Sequence, residues 1–255
     1  MNYETIKYIL PNPDGSLWVA GTSYADSSPA YPFYFVAKVS AGGTLDTSFN
    51  GTGYLFFEHT PNSYIIIYPP PFLQIIDNKI IFTYNINEDN NIKFYIRRIN
   101  SDGTIINTLN LNFHVDETMF DFTNEGLFIT QFGKLYKFLW NGSTDSSFGN
   151  DGSVNLGYYP SLRKIDNHLH LVDERYDTNK FSLSVERRNL NGTLDTTFGN
   201  NGIAEITLME NISNPTQNYF REINIHKQSD GKVIVGGIMG VGSTYKLVLT
   251  RYLNP

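Results

Sequence analysis

The chain has 255 residues, no cysteine, 19 basic and 25 acidic side chains, and a formal net charge of −6. Disulfides, thiolate metal sites and cysteine nucleophiles are excluded, and nothing supplies the cationic footprint that a nucleic-acid partner requires. No run of 18 apolar residues marks a membrane span, and the opening MNYETIKYIL has neither the basic nor the apolar segment of a secretory leader.

With 17 Tyr, 18 Phe and 21 Gly, and no stretch of helical apolar period, the composition is that of β-strands joined by tight turns. The first unit reads as four strands: Ile6–Leu10 (A), Ser16–Gly21 (B), Phe33–Ser40 (C) and Gly53–Glu58 (D). Strand B is apolar at both parities, through Leu17, Trp18, Val19 and Ala20, as expected of a strand buried on both faces. The Asp14-Gly15 turn before it recurs as Asp77-Asn78, Glu125-Gly126, Asp166-Asn167 and Asp230-Gly231, pairs that suit two-residue hairpins. After these turns come the apolar strands SLWVAG, KIIFTY, LFITQF, HLHLVD and KVIVGG. A third strand follows each, with a basic residue near its end: Lys38, Arg98, Lys137, Arg187 and Arg251.

One phrase punctuates the units. GTLDTSFNG begins at Gly43, GSTDSSFGN at Gly142 and GTLDTTFGN at Gly192, which places Asp46, Asp145 and Asp195 at separations of 99 and 50 residues. A degenerate copy starting at Gly103 fills the longer gap, with Ile106 in the aspartate's place. Such a period predicts an all-β, five-bladed β-propeller with about four strands per blade. The single domain of residues 1–255 divides into blades 1–63, 64–119, 120–159, 160–213 and 214–255. A β-sandwich is the alternative, but it offers no reason for the repeat. The last unit stops after strand C, so it is expected to have three strands, with Met1–Tyr3 available to pair on its edge.

The segments DGKVIVGG (Asp230–Gly237), LTRYLN (Leu249–Asn254) and LDTTFGNNG (Leu194–Gly202) resemble the delta-60 repeat family of bacterial β-propeller repeats. The resemblance covers all five units and is weakest in the second and third. It implies a propeller in secreted or surface-associated proteins, and it implies no catalytic residues and no defined ligand.

The repeated phrase lies between strands C and D. Asp46, Asp145 and Asp195 are placed to cap a turn through the following amides, and Phe49, Phe148 and Phe198 to fill the gap between blades. The competing reading, calcium binding by FGNDG and FGNNG, lacks the ligand spacing of a calcium loop. Lys38, Lys137 and Arg187 precede these aspartates by eight residues and are either their partners or solvated cations. His168 and His170 share one face of a strand, which suits a metal. His170, however, falls in the packing slot of Trp18, Ile81, Ile129 and Ile234, which favours a satisfied core histidine. The run Pro69-Pro70-Pro71 is either a polyproline ligand or, more in keeping with its place, a shaping of the entry to strand A of the second unit, where ladder pairing is interrupted. No serine-nucleophile turn or phosphate loop is present, and neither a cofactor nor a metal is expected.

In an up-and-down blade the A–B and C–D connections share one end and the B–C and D–A connections the other. The first set is repetitive. The second varies, from TSYADSSPAYP to almost nothing around Gly133. The variable end carries the candidate ligand-binding residues Tyr24, Tyr31, Tyr158, Tyr159, Tyr176 and Tyr219. The expected function is a non-enzymatic binding module for a carbohydrate or a protein. A structural or adhesive spacer of a larger surface protein is the alternative, and a hydrolase or lyase using central acidic residues ranks last.

Overall fold

The computed structural model describes residues 3–24, 32–57, 63–66, 71–88, 91–111, 119–158, 160–177, 179–211, 218–241 and 244–252. None of these residues is helical, so no helix is long and apolar enough to cross a membrane. They form five sheets in which every strand pair is antiparallel. Two compact units divide them.

The first unit contains two sheets. Sheet one orders β1 (Tyr3–Pro11), β2 (Leu17–Tyr24), β3 (Pro32–Val39) and β4 (Tyr54–Phe57). Sheet two contains β5 (Ser63–Ile66), β6 (Phe72–Ile76), β7 (Lys79–Glu88), β8 (Asn91–Ile99) and β9 (Ile105–Leu111). This sheet has five strands rather than four, because strand A is split: β5 and β6 both pair with β7. The break falls at the triple proline, of which Pro71 is described and Pro69 and Pro70 lie outside the described residues.

The second unit contains three sheets. Sheet three orders β10 (Met119–Phe122), β11 (Gly126–Gln131), β12 (Lys134–Leu139) and β13 (Ser153–Asn155). Sheet four orders β14 (Ser161–Ile165), β15 (His168–Asp177), β16 (Lys180–Asn189) and β17 (Ile203–Glu210). Sheet five has three strands among the described residues, β18 (Asn218–Lys227), β19 (Val233–Val241) and β20 (Thr244–Tyr252). Ser63 and Met119, read from the sequence as the ends of units, instead begin strands of the following sheets. Tyr3 pairs with Tyr24 in sheet one, while Met1 and Asn2 lie outside the described residues.

The turns are of two kinds. Asp77-Asn78 is a two-residue hairpin with both φ values positive, at 50° and 57°, and Asp166-Asn167 also links its strands in two residues. Asp14-Gly15 and Asp230-Gly231 sit instead inside five-residue loops. In these the first residue's N–H donates to the fifth's carbonyl (Asn12 to Ser16, Gln228 to Lys232) and the glycine N–H donates back to the first. The same loop closes strand C at Ser40–Thr44, Asn100–Thr104 and Asn189–Thr193. Its fourth position needs a positive φ, 82° at Gly15 and 91° at Gly192, which is why glycine recurs there. Glu125-Gly126 is not a two-residue turn. Thr123 Oγ1 accepts from the Glu125 and Gly126 amides, and Gly126 is already in β11.

That difference moves the register by one residue. Trp18, Ile81, His170 and Ile234 stand opposite Lys38, Arg98, Arg187 and Arg251, and in sheet three the residue opposite Lys137 is Phe128, not Ile129.

Packing between successive sheets follows one rule within each unit. Trp18, Tyr34, Val36 and Phe49 of sheet one pack on Leu73, Ile80, Phe82 and Tyr84 of sheet two. Phe128, Leu135 and Phe148 of sheet three pack on Leu162, Leu169 and Leu171 of sheet four. Val172, Phe181, Leu183 and Val185 of sheet four pack on Phe220, Val233, Val235 and Met239 of sheet five. Each such residue buried from water contributes roughly 1.5–3 kcal/mol before the entropy of ordering is set against it.

Candidate functional site

The repeated corner is a packing and charge device. Asp46 Oδ1 accepts from the Ser48 amide (3.0 Å) and hydroxyl (2.6 Å), Asp145 does the same with Ser147, and Asp195 with Thr197. The other carboxylate oxygen takes the cation eight residues upstream, at 2.7 Å in each of Lys38–Asp46, Lys137–Asp145 and Arg187–Asp195. The lysine ammonium and the serine hydroxyl hold Asp46 and Asp145 down to about 2. Asp195 is lowered chiefly by Thr197 and then by Arg187. Below each pair, Phe49, Phe148 and Phe198 are buried, against Trp18, Phe128 and His170 respectively. With their oxygens engaged in this way, the corner aspartates are structural. Among the described residues no group of three or more His, Asp or Glu is placed to hold a metal ion.

His168 Nε2 lies 3.1 Å from Asp195, at the rim of that corner. His170 is buried edge-on against Phe198, and neither ring nitrogen has a hydrogen-bond partner. It is a core residue as expected, but not a satisfied one. Burial, aided by the Arg187 charge, lowers its pKa to about 4, so the ring is neutral at ordinary pH. The carboxylate on the short strand β10, Asp121, is also consumed: it accepts from the Phe122 (2.8 Å) and Lys164 (2.7 Å) amides and ties β10 to β14.

The tyrosines proposed from sequence do not form one surface. Tyr31 and Tyr159 lie outside the described residues, and Tyr24 is placed by its backbone at the end of β2. Tyr219 carries the Arg221 guanidinium 4.4 Å from its ring centroid and meets Tyr245 edge-on. Tyr158 is half-buried rather than an open contact residue. Its hydroxyl donates to Glu186 Oε2 at 2.8 Å, Arg175 stacks on its ring at 4.6 Å, and burial beside the Glu186 charge pushes the phenol well up. Tyr176 is exposed, leans on Phe181, and donates its hydroxyl to Glu174.

Tyr158 and Tyr176 flank a feature that the loops alone did not reveal. Strands β11 and β12 have 6 residues each and turn at Phe132-Gly133, whereas β15 and β16 have 10 each. The deficit of four residues per strand leaves roughly 13 Å of sheet four without a neighbour from sheet three. The connection from β13 seals the short hairpin, as Leu156 N and Gly157 N donate to Gly133 O at 2.8 and 3.0 Å, and this delivers Tyr158. Where the hairpin covers sheet four, the facing residues are Leu169 and Leu171. Beyond it the same face carries Asp173, Arg175 and Asp177 on β15, Ser182 and Ser184 on β16, and Glu205 on β17.

There the surface sinks into a groove of about 310 Å³ lined by Arg175, Tyr176, Asp177, Lys180, Ser182, Ser184, Ile203 and Glu205. Lys180 Nζ meets Glu205 Oε1 at 2.7 Å, raising the lysine and lowering the glutamate. Ser182 adds a hydrogen bond to Glu205. Asp173, deeper in the face, is pushed by burial up to about 6 against the pull of Arg175.

No family model matches the chain, and no curated protein matches it. Among solved structures it is similar to an endo-arabinase from Bacteroides thetaiotaomicron, at 8% identity and TM-score 0.41 over 99% of this chain and 94% of that one. It is similar to a GH43 endo-arabinanase from Bacillus licheniformis at 10% identity and TM-score 0.34, covering 95% and 91% of the two chains. A bifunctional GH43-CE protein of Bacteroides eggerthii gives 10% identity and TM-score 0.40 over 90% of this chain, which spans only 30% of that protein. Likeness at these values carries no argument about what the chain binds or does.

Proposed function

We propose that the chain is a non-enzymatic binding module whose five sheets are the blades of a five-bladed propeller, and that its ligand is a saccharide held in the groove of sheet four. The observation that carries the reading is the switch from Leu169 and Leu171 to Asp173 and Arg175 at the point where the short β11–β12 hairpin stops covering the face. Charged side chains take over where solvent reaches the sheet, above the nearly buried Ser182 and Ser184, and they do so around a depression. A groove near 310 Å³ is at the lower end of small-ligand pockets, roughly 300–1,000 Å³. A protein partner would call for a contact of roughly 800 Å² per side, far larger than these eight lining residues offer. The groove opens beside the β15–β16 hairpin and below Tyr158, the end of the blade that varies between units.

The ring is supported by sheet five. Leu249 and Leu247 occupy the register positions of Val36 and Tyr34, which are wholly buried, yet they are 69% and 77% exposed. In a closed propeller this face would be covered rather than left in water. Leu247→Asp would then lower the melting temperature, whereas a face that stays in water would tolerate it.

The test of the binding reading is a variant whose β11–β12 hairpin is lengthened by two residue pairs. On a glycan array it should lose at least ten-fold in binding while melting at the same temperature as the natural chain. Equal binding by the lengthened variant contradicts the groove, and a blank array for the natural chain moves the reading to the spacer.

A further inference from the structure

Resting on the groove as the binding site, we infer that its ligand is an uncharged saccharide and that the groove discriminates against uronic acids and other anionic sugars. The argument is an inventory of charge. The lining side chains include two cations, Arg175 and Lys180, and two carboxylates, Asp177 and Glu205. Both cations are already engaged. Lys180 Nζ lies 2.7 Å from Glu205, and the Arg175 charge acts on Asp173 and Glu205 while one face of its guanidinium lies on the Tyr158 ring. Asp173 on the same face, opposite Ser184, adds a further carboxylate when it is ionised. An incoming carboxylate therefore finds its cations occupied and meets like charge, with little to repay the water it gives up.

Uncharged hydroxyls fit the same wall. Each sugar hydroxyl both donates and accepts, so a vicinal pair can donate to Glu205 while accepting from Lys180 or Arg175. Ser182 and Ser184, two residues apart on the same face, form the nearly buried floor of the groove, and Ser182 holds Glu205 in place by a hydrogen bond. The apolar C–H face of a sugar ring needs an apolar surface, and Ile203 supplies it at the edge of the polar cluster. Tyr158 and Glu186 act one step back. The hydroxyl bond to Glu186 fixes the ring on which Arg175 rests, which makes Tyr158 a positioning residue rather than a contact.

The experiment is an array of matched oligosaccharide pairs, each neutral sugar printed beside its uronic-acid counterpart (cellobiose with cellobiouronic acid, galactobiose with digalacturonate). Hits are followed by titration calorimetry at 50 and 500 mM NaCl. The neutral member should bind at least ten-fold tighter, with Kd changing less than about two-fold between the two salts. Glu205→Gln, which releases Lys180, should weaken the neutral ligand and narrow the gap to the uronate. Tighter binding of the uronate with a steep salt dependence overturns the inference and leaves the groove standing. A Kd for the hit that is unchanged in both Glu205→Gln and Arg175→Gln overturns the inference and the groove together.

Discussion

Sheets two and four occupy equivalent positions in the repeat, one in each unit, and differ at a few matched residues. Counting from the paired cations Arg98 and Arg187, Ile80 and Phe82 of β7 correspond to Leu169 and Leu171 of β15, and both sheets are apolar there. One step further, Tyr84 and Ile86, 1% and 2% exposed, correspond to Asp173 and Arg175, and Tyr95 of β8 corresponds to Ser184 of β16. The cause is the preceding sheet. Strands β2 and β3, of 8 residues each, extend far enough to lay Tyr34 against Tyr84 and Phe57 against Phe82. The 6-residue strands β11 and β12 do not reach that far. The chemistry of a sheet's face is thus set by the length of its neighbour, and a shortened hairpin converts a covered apolar face into an open polar one without disturbing the corner beneath.

The largest expected effect comes from exchanging the two solutions. Ile86→Arg puts sheet four's residue into a fully covered position of sheet two and should cost at least about 4 kcal/mol, enough to unfold the chain in mild urea. The reciprocal Arg175→Ile should change the unfolding free energy in urea by less than about 1 kcal/mol, while saccharide binding falls. If the two exchanges cost the same, the sheets do not differ as described. Phe198→Ala removes the ring that anchors the corner of sheet four and should cost about 3–5 kcal/mol in thermal melts. The shorter hairpin of sheet three does not spare Phe148→Ala, which should cost about as much, since both rings are fully buried.

Asp195→Ala comes next, at about 3 kcal/mol, because it removes the carboxylate facing the buried Arg187 and the turn cap together. Asp46→Ala should depress the melting temperature less, since Lys38 and Asp46 remain partly in water. Equal losses would mean that burial of the arginine does not set the strength of the corner.

The smallest effect is a matter of pH. Asp173 has its carboxyl raised by burial to about 6 from the ordinary 3.8. For a raised carboxyl, the stabilising contribution is present below the unfolded pKa and is lost as pH rises through about 6. Asp173→Asn removes that dependence, so it should equal the natural chain near pH 4 and exceed it at pH 7.5. Solvent screening brings the gain to the order of 1 kcal/mol. Urea titrations at pH 4, 5.5 and 7.5 measure it, and a gain that is flat with pH would show that Asp173 does not titrate in this range.

The architecture was readable wherever the signal is local. Asp46, Asp145 and Asp195 with their phenylalanines, and the lysines and arginine eight residues upstream, repeat in the sequence because each corner is built from one short segment. The one-residue register shift at Phe128 was not readable, because it depends on a Thr123 side chain closing a four-residue turn in place of an Asp-Gly pair. The groove was legible only in part. The near-absence of a loop around Gly133 is plain in the sequence, and so is the polar run after Leu171. That one explains the other requires knowing that the end of β15 faces the missing part of β11 and β12, a relation between residues about 40 positions apart. Tyr158 was singled out for its place in a variable loop, but its hydroxyl answers to Glu186, 28 residues away.

The central claim is that the uncovered half of sheet four is the ligand site. Its most direct test is amide chemical-shift mapping during titration with the best neutral disaccharide from the array. The account predicts that the shifts concentrate on Arg175–Asp177, Lys180–Ser184 and Glu205, with the corner amides of Ser48, Ser147 and Thr197 unmoved. Shifts centred on those corners or on β20, with the groove silent, would contradict it.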